Sequence, residues 1–412
     1  MKCFIDGQIV LSRAPAGPLA AYIEPFAKSL REQGYSPYSI HRQVLLATGF
    51  SEWLKAQGAA SRCLTSNQTA RYLQDRSQQL QPCLGDAAAL RHLIDFLRDK
   101  GVIAAEKRSA PTLTPAERFA QAYEHHLREA RGLAEATIVN YAPFIRSFLK
   151  DRFGDGRITL SRLCAGDIAG FVQRQASRLH HKRAKLLTSA LRSFLQYVRY
   201  RGKAKPDLAA AVPVVANWSV SSIPRAIAPD QVRQLLASID RNTAIGRRDY
   251  AIVLLLARLG LRSGEVASLE LEDIDWNAGK LSVRGKSGKR SELPLSAEVG
   301  KAIAAYLRCG RPQSRSRRVF LRGKAPIRGF RGASGVGSIV RHRIERAGID
   351  APTRGAHQFR HGLATDMLRG GASLGEIGDL LGHHNPQTTM IYTKVDVETL
   401  RTLALPWPGG VR

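Results

Sequence analysis

The chain has 412 residues, with 63 Lys and Arg against 34 Asp and Glu, a formal charge of +29. That length allows two or three domains, each with its own core. The charge excess sets aside a neutral small-molecule enzyme and points to a polyanionic partner, nucleic acid first. Basic residues run along the whole chain and are not gathered on one amphipathic helix, which argues against a membrane surface. Cys3, Cys63, Cys83, Cys164 and Cys309 are scattered, with no Cys-x-x-Cys pair, so neither a disulfide framework nor a zinc knuckle is expected. Asp6 and Gln8 interrupt any signal-peptide core, and the most apolar run, 251–257, is too short to span a bilayer. The expectation is a cytoplasmic, nucleoid-associated protein.

In chain order, residues 1–18 read as a loosely ordered lead-in broken by Pro15, Gly17 and Pro18. Apolar periodicity over 19–104 predicts helices at 19–33, 39–57 and 87–100, stopped by Gly34 and Gly101. Residues 114–203 repeat this plan about a hundred positions on. Leu30-Arg31-Glu32 with Gly34 is echoed by Leu127-Arg128-Glu129 with Gly132, and the spacing of Ile40 and Phe50 by that of Ile138 and Phe148. We read two related helical domains in tandem. The second has an expected core of Tyr141, Phe144, Phe148, Leu186, Leu191, Phe194 and Val198. Pro206, Pro213 and Pro224 among small residues mark 204–226 as a linker.

A third domain, 227–405, opens on a helix at Ala228-Pro229-Asp230. A core helix follows at 248–259, and then three short strands at 269–276, 280–284 and 292–295. Between Val299 and Ile344 there are twelve Lys or Arg and no Asp or Glu, a run expected to follow a phosphate backbone. Arg315 to Arg331 is expected to be partly mobile without DNA. Ser373 with Glu376 reads as a capping box, and Gly382 as the stop of that helix. Asn385-Pro386 begins the next helix, placing Tyr392 about two turns along it. The fold class is therefore mainly α with a small antiparallel sheet: tandem helical domains followed by a mixed α/β domain.

Several residues could carry chemistry. Arg262 stands at a helix junction in Leu-Gly-Leu-Arg-Ser-Gly-Glu, and Lys286 in a Gly-Lys-Ser-Gly turn. His357 and Arg360 form His-x-x-Arg on one helix face, His383 sits in a Gly-His turn, and Tyr392 lies nine positions further on. His357 and His361 have the spacing of a zinc-binding His-Glu-x-x-His helix, but Gln358 stands where the glutamate is needed. Gly285-Lys286-Ser287 is not a P-loop, because the upstream glycine is replaced by Lys280.

Taken in order, Arg, Lys, His-x-x-Arg, Gly-His and Tyr resemble the catalytic boxes of the tyrosine recombinase (phage integrase) family. The match runs from about Arg225 to Leu400, with all six positions filled. The resemblance implies that Tyr392 attacks a DNA phosphorus and stores the bond as a 3′-phosphotyrosyl ester. Arg262 and Arg360 would clamp the nonbridging oxygens, Lys286 would protonate the leaving 5′-oxygen, His357 would assist proton transfer, and His383 would hydrogen-bond the phosphate. No cofactor or metal is implied. The second helical domain resembles the family's SAM-like core-binding domain. Its Arg174, Arg178, Lys182, Arg183 and Lys185, with Arg317, Arg318, Arg322 and Lys324 of the third domain, would then contact phosphates, and the linker would let the domains close around a duplex. The first helical domain departs from the compact family plan. The implied partners are double-stranded DNA and further copies, or related recombinases, in a tetrameric synapse; the tail after Tyr392 would dock on a neighbour. A type IB topoisomerase-like enzyme and a catalytically silent DNA-binding accessory are the competing readings.

Overall fold

The computed structural model describes residues 3–5, 9–11, 13–59, 64, 66–81, 83–103, 113–204, 207–215, 225–285, 290–383 and 385–395. Two compact units divide the chain: 106–219 forms one, and 1–105 together with 220–412 forms the other. The mainly helical class with a small antiparallel sheet is as expected. No described helix is long and apolar enough to cross a membrane.

The lead-in is more ordered than its breakers suggested. Strands β1 (Cys3–Ile5) and β2 (Ile9–Leu11) pair antiparallel, Cys3 opposite Leu11. Four helices follow: α1 (Ala20–Glu32), α2 (Pro37–Ala56), α3 (Ser66–Gln79) and α4 (Asp86–Asp99). Helix α2 starts two residues before its expected position because Ser36 caps it through the Ser39 amide and Pro37 takes the first helical position. Helix α3 was not expected. It buries Tyr72, which packs on Phe50, while its exposed Asp75 accepts from the Trp53 indole at 2.9 Å. So few inward apolar residues leave little periodicity to read.

The second unit repeats the plan with α5 (Pro115–Glu129), α6 (Glu135–Phe153), α7 (Ala165–Ala176) and α8 (His181–Tyr200). In both four-helix domains the first helix packs on the second and the second on the fourth. The expected core is buried around Phe148, Leu191, Phe194 and Val198, with Tyr141 and Leu186 at its margin. This core continues through Ala204, Leu208, Ala209 and Val212, so the first half of the expected linker belongs to the domain.

The third domain is built around a helix whose middle stretch has no exposed face. After α9 (Pro229–Ala237), α10 (Ala244–Arg258) carries Ala251, Ile252, Val253, Leu254, Leu255 and Leu256, each 0% exposed. An apolar run buried all round must be central. Packed on it are α11 (Ser263–Ser268), α12 (Ala297–Cys309), α13 (Ala333–Arg346) and α14 (His357–Arg369). The chain closes with α15 (Leu374–Leu381), the single turn α16 (Pro386–Thr389) and a 3-10 turn, Met390–Val395. Tyr392 therefore lies on this 3-10 turn and not on a continuous α-helix. The sheet is β3 (Ile274–Asp275), β4 (Lys280–Arg284) and β5 (Arg290–Pro294), with Leu281 opposite both Ile274 and Leu293. The first strand is shorter than expected because Leu271–Asp273 forms a 3-10 turn.

Buried charge fastens α10 to α13. Asp249, 3% exposed, accepts from Arg248 through Nε and Nη2 (2.8 and 2.7 Å) and from Arg343 Nε (2.8 Å), and Arg343 Nη2 forms an ion pair with it at 2.6 Å. Arg248 Nη1 also donates to the Leu321 carbonyl at 3.0 Å. Thus 315–331, expected to be partly mobile, contributes Val319, Phe320 and Leu321 to the core, with Phe320 stacked on Tyr306. The first four-helix domain meets this same segment. The Ile327 amide donates to the Gln33 carbonyl at 2.8 Å, and Gly34, at φ +81°, lies so close that a Cβ would fall 2.4 Å from Ile327 Cγ1.

Candidate active site

The junction between α10 and α11 sets the first arginine. Gly260 turns the chain at φ +60°, and any Cβ there would sit 2.7 Å from Leu381 Cδ2. Arg262 is then the N-cap of α11. Glu265, three residues on and nearly buried, accepts from the Arg262 amide at 2.7 Å and from its Nη1 at 2.6 Å. The carboxylate thus orients the half-exposed guanidinium, as a charge-assisted pair does.

Arg360 sits on α14 and is 2% exposed. It donates from Nη1 to the Gly260 carbonyl at 2.8 Å and from Nη2 to the Leu381 carbonyl. These bonds tie α14 to the α10–α11 turn and to the end of α15. Burial, and then repulsion from Arg262, pull its pKa down to about 10, so it stays cationic at neutral pH. Arg262 and Arg360 line one cavity of about 60 Å³ with Glu265, Gly285, Leu381 and Gly382. Lys286 directly follows Gly285 but lies outside the described residues, as does the tail from 396.

The capping box at Ser373 and Glu376 forms as expected, and Gly382 ends α15 in the left-handed conformation. His383 follows. Its amide donates to the Gly378 carbonyl at 2.8 Å, and its Nδ1 lies 2.8 Å from the buried Thr389 Oγ1. Its ring stands parallel to that of Tyr392, centroids 6.5 Å apart. Burial, with Arg360 and Arg262 next, lowers its pKa to about 4, so it is neutral at physiological pH.

Tyr392 is 1% exposed. Burial raises its pKa, opposed by Arg360 and Arg262, so the phenol keeps its proton. Its oxygen lies 3.1 Å from Nδ1 of His361, a histidine that enters the sequence reading only as half of a rejected zinc motif. His361 is pulled down to about 4 by burial first, then by His357 and Arg360. His357 is exposed and packs edge-on against His361, centroids 4.4 Å apart. The signal for His361 was its place one turn after His357, on the helix that also carries Arg360. Glu265 and Thr389 were missed as well, and Glu265 could have been found as the third residue after a helix N-cap.

The candidate DNA contacts are spread over both units. On the second, Arg178, Lys182, Arg183 and Lys185 are exposed; Arg174 is exposed and pairs with Asp151 at 2.7 Å, and Arg183 covers the Phe144 ring. On the third domain, Arg317 is exposed but binds Glu272 at 2.5 Å, and Arg318 donates to the Ser268 carbonyl and lies 3.5 Å from Glu270. Lys324 is exposed and Arg322 is half-buried near Tyr35. The basic run 299–344 thus also serves structural ends: Arg311 donates to three carbonyls of 316–319, and Arg343 binds Asp249.

Residues 225–399 match the phage integrase family, and 120–202 match the phage integrase N-terminal SAM-like domain. Over 409 residues, 99% of each chain, the protein is 60% identical to a putative integrase/recombinase, y4rA, of Sinorhizobium fredii. The chain belongs to the tyrosine recombinase (phage integrase) family. It is also 31% identical over 281 residues to tyrosine recombinase XerD of Listeria monocytogenes, covering 66% of this chain and 92% of that one. In fold it is similar to XerH site-specific recombinase in a post-cleavage complex with its difH substrate, with a TM-score of 0.56 and 20% identity over 70% of this chain and 84% of that chain. Residues 19–104, which hold α1 to α4, precede the SAM-like match.

Proposed function

We propose that this recombinase cuts and rejoins duplex DNA at a specific site through a 3′-phosphotyrosyl intermediate on Tyr392. The observation that carries the reading is the convergence of Arg262 and Arg360 on one cavity, with Tyr392 and His383 held beside Arg360 in the same domain. A phosphodiester entering there meets two fixed guanidinium groups, whose planar forks match its nonbridging oxygens. Both are positioned by protein acceptors before substrate arrives, so little reorganisation is needed as charge develops. Neutral His383, with Nδ1 held against Thr389, presents Nε2 as a third donor. Tyr392 oxygen attacks phosphorus, and the 5′-oxygen leaves with a proton, a role we give to Lys286. The ester keeps the energy of the broken bond, so attack by a 5′-hydroxyl of another strand reseals it without an energy source. Strand exchange within a tetramer on DNA fits the family, and the y4rA and XerD relatives favour it over a topoisomerase acting on one duplex.

The test is covalent capture. Nicked duplexes tiled across the DNA flanking the gene are incubated with the protein, denatured and resolved on a gel. The expected outcome is a protease-sensitive shifted band that is lost in Tyr392→Phe and kept in Tyr141→Phe. Salt-sensitive binding with no adduct on any duplex refutes catalysis by this chain alone and favours the accessory reading.

A further inference from the structure

We propose that His361 is the catalytic base that takes the proton from Tyr392. This rests on the reading of Tyr392 as nucleophile and adds to it the identity of the proton acceptor. A base must lie within hydrogen-bond reach of the proton it removes. His361 Nδ1 is 3.1 Å from the Tyr392 oxygen. His383, the other imidazole whose ring faces Tyr392, has its Nδ1 engaged by Thr389 Oγ1 at 2.8 Å. A phenol that keeps its proton donates to Nδ1, which leaves the His361 hydrogen on Nε2 and the tautomer ready to accept.

The surroundings explain why the transfer waits for DNA. Without substrate, His361 is half-buried beside His357 and Arg360, with Arg262 and His383 around the same tyrosine, and so it is a poor acceptor. A phosphodiester bound between Arg262 and Arg360 brings a negative charge into the cluster, and a nearby anion raises the affinity of an imidazole for a proton. As the Tyr392 oxygen bonds to phosphorus, its proton moves to Nδ1, the phosphorus–O5′ bond breaks, and the resulting imidazolium faces the pentavalent anion it helps to stabilise. In the reverse step the proton returns to the leaving phenolate, so no other reagent is consumed. His357, exposed and packed against His361, is then a positioning residue.

The experiment uses full-length protein and the nicked duplexes described above, with single-turnover adduct formation as the readout. His361→Asn places an amide oxygen near the position of Nδ1, so it can orient the phenol but not take its proton. The expected result is adduct formation slowed about 100-fold, with salt-sensitive DNA binding retained. Replacing Tyr392 by difluorotyrosine, which ionises more readily, is expected to restore most of that loss. A His361→Asn rate within roughly threefold of wild type overturns the proposal, as does a slow variant that the fluorinated tyrosine does not rescue. Difluorotyrosine in otherwise wild-type protein gives a measure that does not depend on the variant folding. With a base in place the rate should change less than about threefold, and a rise of about tenfold or more would show that no base is present. Absence of any wild-type adduct would instead sink the Tyr392 reading, and this assignment with it.

Discussion

Replacing Asp249 by Asn tests whether the buried charge cluster holds the catalytic domain together. Asp249 is 3% exposed, accepts three hydrogen bonds from Arg248 and Arg343 and forms a further ion-pair contact with Arg343, both arginines being nearly buried. Asparagine keeps one acceptor oxygen but removes the carboxylate that both guanidinium groups bind. Breaking a buried pair by removing one partner costs about 3–5 kcal/mol, because the remaining charge stays desolvated. The amide retains some bonding, which puts the expected loss at the lower end, about 3 kcal/mol. For a domain of this size each kcal/mol moves the melting point by about 2–4 °C, so the catalytic-domain transition should fall by about 6–12 °C. Calorimetry of the full chain reads this directly. Glu345→Gln is the control: Glu345 pairs with Arg354 at 2.9 Å, but the two side chains are 44% and 69% exposed. An exposed pair is worth less than about 1 kcal/mol, and its loss should move the transition by less than about 4 °C. If Asp249→Asn shifts the transition no more than this control, water must already solvate the cluster and the argument from burial is wrong.

Three further outcomes are expected. His361 and His383 have folded pKa values near 4, below the unfolded value of about 6.5. Between these values the unfolded chain binds more protons, so their contribution is complete above pH 6.5 and is lost as pH falls toward 4; the urea midpoint of His361→Gln should therefore fall less than that of wild type over this window. Thr389→Val removes the partner of His383 Nδ1; losing one such bond costs about 1.4 kcal/mol, so adduct formation should slow about tenfold while DNA binding holds. Gly34→Ala forces a Cβ against Ile327 at a left-handed backbone position, a strain of about 1–2 kcal/mol; amide exchange at Ile327, whose N–H donates to Gln33, should speed up, and an unchanged rate would show that the first domain does not hold this segment.

Local rules made much of this protein readable. The Ser373–Glu376 box, the Gly382 stop and the buried run of α10 follow from capping chemistry and apolar spacing, which depend on near neighbours in sequence. The six candidate positions were legible because residue type and order survive without coordinates. The sequence also carried the tandem helical plan, although α3 escaped it for want of inward apolar residues. Tertiary structure alone decided which groups meet. His361 finds Tyr392 across 31 positions, and Arg360 reaches the Gly260 carbonyl across 100, because α10, α14 and α15 pack side by side. The same holds for the basic run. A sequence shows twelve positive charges and no acids between Val299 and Ile344, but Asp249 and Glu272, which neutralise Arg343 and Arg317, come from elsewhere in the chain. Charge and periodicity are properties of a segment. A hydrogen bond or a depressed pKa belongs to a neighbourhood, and only folding assembles one.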